Sequence, residues 1–103
     1  MSQLIQRTKT TTNTAILTSA GTALAANPAR VSYKIQNLDT DPLFVKEGAS
    51  CSVTDFTYIL AAGTGLDNGT GGSYDSISGQ VYTGIITVAG TTPRFVASER
   101  KEE

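Results

Sequence analysis

The stretch RVSYKIQNL, Arg30 to Leu38, alternates with a period of two. Val31, Tyr33 and Ile35 fall on one side of an extended backbone, and Ser32, Lys34 and Gln36 on the other. That pattern fits a strand with one buried face and cannot be laid along one face of a helix. LDTDP then breaks it, because Asp39 and Asp41 are turn formers and Pro42 removes a ladder donor. LFVKEG resumes as a second strand and stops at Gly48, so the two runs are expected to form a hairpin.

The same grammar recurs along the chain. DFTYILAAG places Phe56, Tyr58 and Leu60 in alternation before Gly63, QVYTGIITVAG is expected as the best central strand, and RFVASE closes the fold. SAGTALAANPAR holds the only helix-friendly letters, but Gly21 and Pro28 bracket too few residues for a helix, so a strand or short turn is expected. Strands separated by Gly, Pro and Asp turns predict an all-β chain: one small antiparallel β-sandwich, Ig-like or jelly-roll-like, with an extended N-terminal arm. The expected core is Val31, Ile35, Val45, Phe56, Leu60, Val81, Ile86 and Val88.

Two segments stand outside this pattern. Residues 1–18 are Thr-rich, with Leu4, Ile5, Ala15, Ile16 and Leu17 as the few residues to bury. They read as an extended arm, or a strand that borrows a partner's sheet edge, ahead of a sandwich domain at 19–103. The loop at 63–76 carries five glycines between Gly63 and Gly72, which predicts a mobile surface segment that holds no core.

The 103 residues suffice for one domain with a modest core. Only 39% of them are hydrophobic and 17% charged, while Thr and Ser together supply 25, a composition suited to a β surface dressed with hydroxyls. A net charge of −1 gives no electrostatic case for nucleic acid or an anionic membrane, and little repulsion between copies. The N-terminus lacks the apolar core of a secretory signal and no run reaches the length of a membrane span, so a soluble chain is expected.

Reactive chemistry is sparse. There is no histidine, which excludes Ser–His and Cys–His pairs and His-ligated zinc, and the single Cys51 can form neither an intrachain disulfide nor a thiolate zinc site; it is expected as a small, partly buried apolar residue. Asp39 and Asp41 read as turn makers. Asp67, Asn68 and Asp75 lack the ligand alternation and closing glutamate of a calcium loop. GTGLDNGTGG has no following lysine, and Asn68 stands where a dinucleotide fingerprint needs its third glycine. Tyr33, Tyr58 and Tyr82 fall within strand patterns and are expected to pack, whereas Tyr74 is a loop aromatic that could stack on a sugar. No catalytic, cofactor-binding or metal-ligating residue is assigned, and no cofactor. Arg30, after Asn27-Pro28, opens a strand where its guanidinium can fork to a carboxylate or to turn carbonyls, with Glu99 as candidate partner if first and last strands are neighbours.

Taken in order, Asn27-Pro28-x-Arg30, Ile35-Gln36-Asn37, a strand ending at Gly48, Leu60-x-x-Gly63, Tyr82-x-Gly84 and Glu99 resemble the small β-sandwich proteins encoded among the structural genes of tailed bacteriophages. The match covers residues 20 to 99. It implies a non-enzymatic virion component, foremost a capsid decoration (cement) protein. Such a protein would bind and stabilise the major capsid protein lattice as a homotrimer on the capsid surface, assembled in the host cytoplasm without nucleic acid or membrane partners. Alternatives are a tail, neck or fibre component, or a carbohydrate-binding host-attachment module. The Gly-rich segment between Gly63 and Tyr82 departs from the compact pattern, where a tight turn stands.

Overall fold

A computed structural model describes residues 9–76 and 81–102. Eight strands form: β1 (Lys9–Asn13), β2 (Gly21–Leu24), β3 (Arg30–Asn37), β4 (Leu43–Glu47), β5 (Tyr58–Leu60), β6 (Ser73–Asp75), β7 (Ile86–Ala89) and β8 (Phe95–Glu102). They make two four-stranded antiparallel sheets, in the orders β1-β8-β3-β6 and β2-β7-β4-β5. The pairings β1–β8, β2–β7, β3–β6 and β4–β5 run in mirror order along the chain. The first half is thus laid against the second like one long hairpin, which is then rolled so that successive strands alternate between sheets. That is the jelly-roll order, one of the two sandwich types expected.

Rolling also corrects the expected first hairpin. The strands β3 and β4 do not pair with each other: β3 lies between β8 and β6, and β4 between β7 and β5. The 38–42 turn instead carries the chain from one sheet to the other. Pro42 suits such a corner because no ladder bond is asked of it.

The core lies between the sheets, and Ile35, Val45, Ile86, Val88 and Leu60 are buried in it as expected. Tyr33, Leu24, Leu43, Phe95 and Ala97 join them. Val81 packs against this cluster and is half-buried. Two expected core residues lie elsewhere. Val31 is half-buried because the β3–β8 register shifts between Arg30 and Ser32, a bulge that turns Arg30 inward on the side of Tyr33. Phe56 precedes β5 and is 38% exposed, edge-on to Phe44 with ring centroids 5.0 Å apart.

Three segment boundaries also move. The described part of the expected arm is an ordinary edge strand: β1 runs along β8 from Lys9↔Glu102 to Asn13↔Ser98, and Leu17 bridges Phe95. Thr-rich backbone has β propensity, and β8 offers it a ladder within the same chain, so no partner's edge is needed. Residues 1–8 lie outside the described residues. The expected strand from Gln80 begins only at Ile86, with Gln80 itself outside the described residues. Finally, the Gly-rich loop contains β6, which pairs Lys34↔Asp75, Ile35↔Tyr74 and Gln36↔Ser73.

Candidate functional site

Polar side chains inside the sandwich gather at three joints. The first is built by Asn27-Pro28-Ala29-Arg30. The Asn27 backbone carbonyl accepts from Arg30 N–H (3.0 Å) and its side-chain oxygen from Ala29 N–H (3.1 Å), which closes a turn at the mouth of β3. The bulge then sends the Arg30 side chain inward, where it has no exposed surface. Its Nε donates to Glu99 Oε1 at 2.8 Å, Nη1 to the Tyr82 and Gly84 carbonyls at 2.8 and 3.0 Å, and Nη2 to the Ala25 carbonyl at 2.7 Å. Asn27 Nδ2 donates to the other Glu99 oxygen at 3.2 Å. One guanidinium therefore fastens β8, the β2–β3 link and the lead-in to β7. Giving carbonyls to Arg30 also explains why residues 82–84 do not extend β7.

The second joint is Asn37, fully buried at the end of β3. Its Nδ2 donates to the Asp41 carbonyl at 2.9 Å and the Ala61 carbonyl at 3.0 Å, and its Oδ1 accepts from Asp39 N–H at 3.0 Å. Asn37 N–H donates to the Gly72 carbonyl, and Gly72 N–H to the Ala61 carbonyl, at 2.9 and 3.0 Å. The glycines here are positional: a Cβ on Gly71 would stand 1.8 Å from the Asn37 carbonyl oxygen, and one on Gly72 2.6 Å from Ala61 N. The end of the Gly-rich segment is thus fixed, contrary to a loop that holds nothing. Its tip is held at the surface, where Arg94 pairs with Asp67 through two bonds and draws the Asp67 carboxyl below its usual range. Asp67, Asn68 and Asp75 do not converge: Asn68 Oδ1 accepts from Thr64 and Thr70, and Asp75 stands on β6.

The third joint is aromatic. Tyr33 Oη donates to Glu47 Oε2 at 2.6 Å and lies 3.1 Å from Tyr58 Oη. Tyr74 stacks on Tyr58 with centroids 4.4 Å apart and lies 5.5 Å from the Tyr33 ring. Burial, then the bond to Glu47, raises the Tyr33 phenol well above the usual tyrosine range; burial does the same for Tyr58. Tyr74 is therefore half-buried packing from an edge strand and not a loop aromatic open to a sugar. Cys51 is half-buried, its Sγ 3.4 Å from the Phe44 carbonyl, and burial raises the thiol above its ordinary value, opposite to an activated cysteine.

Arg30, Asn37 and Glu99 were each visible in the sequence, but only the first pairing, Arg30 with Glu99, was expected as such. Glu47 was missed. It ends β4, and nothing local marks a carboxylate that meets a tyrosine fourteen residues earlier.

No family model, curated protein or solved structure matches this chain.

Proposed function

We propose that this chain is a non-enzymatic structural protein of a phage virion, a decoration protein that sits on the capsid and binds neighbouring copies of the major capsid protein. One observation carries the reading. The residues on which the resemblance rests are spent on the joints of the sandwich: Asn27, Arg30, Tyr82, Gly84 and Glu99 in one, Asn37, Leu60 and Gly63 around the other. Side-chain polarity that an active site would expose is used here to make a rigid shape, and among the described residues no buried side-chain polar atom is left without a partner. A rigid sandwich placed over a junction adds contact area to a shell, and repetition over many equivalent junctions makes weak contacts hard to undo.

Purified protein added to particles that lack it tests this. Saturable binding distributed over the shell, seen by electron microscopy, with a rise in the temperature at which the shell opens, is the expected result. Density confined to a ring at one vertex would assign the chain to the neck or tail, and no binding to any particle surface would remove the reading.

A further inference from the structure

The two outer faces of the sandwich differ in kind. Across β1, β8, β3 and β6 the register sets Asn13, Ser98, Lys34 and Asp75 in one row and Thr11, Arg100 and Ser32 in the next, all polar. On the opposite sheet the register sets Ala89, Phe44 and Ile59 side by side, an apolar row that ends on the end strand β5. Ile59 is 49% exposed, and Phe56 covers only part of Phe44.

The end strands are also unequal. Three carry features that discourage pairing: β1 has no apolar residue, β2 has Gly21 and a register irregularity, and β6 follows two glycines and ends in Asp75. The segment around β5, Phe56 to Ala62, has no charge, no proline and no glycine. The one charged pair beside it, Lys46 Nζ and Asp55 Oδ2, is closed on itself at 2.6 Å. The patch therefore presents apolar surface with its rim charge cancelled.

We infer that this patch, Phe44, Phe56 and Ile59, is the contact by which two copies of the chain associate about a two-fold axis beside β5. A second copy is the occupant that fits the charges. It brings an identical apolar row, its own Lys46–Asp55 pair is likewise cancelled, and a net charge of −1 leaves little repulsion. A charged partner would find nothing here to pair with. The inference does not depend on the virion reading.

Sedimentation velocity on the full chain over a wide concentration range tests it. The wild type should pass from monomer to dimer, and Ile59→Lys should weaken the dimer about tenfold or more, since each 1.4 kcal/mol is a factor of about ten. Lys34→Glu, on the polar face, should leave it unchanged. If Ile59→Lys does not melt like the wild type, Phe56→Ser, which lies outside every strand, carries the test. A wild type monomeric throughout, a three-fold assembly, or a dimer that the patch variant leaves intact overturns the inference. So does a monomer whose binding to particles, and not to itself, falls with Ile59→Lys.

Discussion

Arg30 Nε stands 2.8 Å from Glu99 Oε1, and the arginine side chain that makes this pair has no exposed surface while the glutamate retains 14%. Burying a guanidinium is tolerated here because every direction it points meets an acceptor, a carboxylate on one side and three carbonyls on the others. The pair does not simply add attraction between β3 and β8, which their long ladder already joins. It fixes the two loops whose carbonyls the arginine also holds.

Removing the carboxylate should therefore be costly. Glu99→Ala leaves a buried charge with carbonyls alone and is expected to destabilise by ~3–5 kcal/mol. Glu99→Gln, whose amide oxygen still accepts from Nε, should fall between Ala and wild type. Urea denaturation gives both values; losses under ~1 kcal/mol for the two would show that the carbonyls suffice to hold Arg30.

The core assignments make a contrasting pair. Ile35 is fully buried, and Ile35→Ala should cost ~2–4 kcal/mol. Phe56 is exposed beside Phe44, and Phe56→Ser should change monomer stability by roughly 0.5 kcal/mol or less. Equal losses in the two variants would contradict the burial seen here.

Alternation along the sequence located the strands but not their partners. The pattern at 30–38 identified Ile35 and Tyr33 correctly and misplaced Val31, because a bulge is set by the β8 partner and leaves no local mark. Phe56 shared a period with Tyr58 and Leu60, yet the strand starts only at Tyr58. Arg30 and Glu99 were legible because an arginine at a strand mouth has few uses other than holding carboxylates and carbonyls. The role of Gly71 was not, since chain flexibility and close backbone approach draw on the same residue. Only the three-dimensional contact with Asn37 separates the two.

Glycines in the 63–76 segment should accordingly divide. Gly69 has φ +79° and open space beside it, so Gly69→Ala carries only the left-handed penalty of ~1–2 kcal/mol. Gly71→Ala forces its methyl into the Asn37 carbonyl and should cost more than Gly69→Ala, with the β3–β6 ladder losing amide exchange protection first. Deleting residues 65–69 should leave the fold intact, whereas a deletion that includes 71 and 72 should not. A reversed order would mean that the loop tip, and not its end, holds the sheets together.

Alkaline pH offers a separate readout of the aromatic joint. The folded values of Tyr33 and Tyr58 are raised above the ordinary tyrosine value of 10.0. Their contribution to stability is thus complete below that value. It is lost as pH climbs toward the folded values, because the unfolded chain ionises while the folded one resists. Absorbance titration should show these two phenols ionising only as the fold is lost, and Glu47→Gln should bring Tyr33 closer to ordinary behaviour. Free titration of all four tyrosines in the native protein near pH 10 would place Tyr33 and Tyr58 in water.

The first strand provides the sharpest test of the architecture. An arm awaiting a partner could be removed without effect on the isolated domain. In the structure, β1 instead covers the outer edge of β8 over five register pairs, and Thr14 continues the contact by donating its N–H to the Ala97 carbonyl at 2.8 Å while its hydroxyl accepts from Ala97 N–H at 2.9 Å. Leu17 then exchanges both backbone bonds with Phe95, the fully buried aromatic at the start of β8. Each ordered residue of this segment gives up ~1–2 kcal/mol of backbone entropy, so the ladder and the half-buried Leu17 must together exceed that loss within one chain. Deleting residues 2–14 is therefore expected to lower the melting temperature and to open amide exchange along β8 from Ala97 onward. The β2-β7-β4-β5 sheet should exchange as before at low temperature. An unchanged melting curve would show that these residues are held only weakly by β8, and would return the segment to the role of an arm free to engage another subunit.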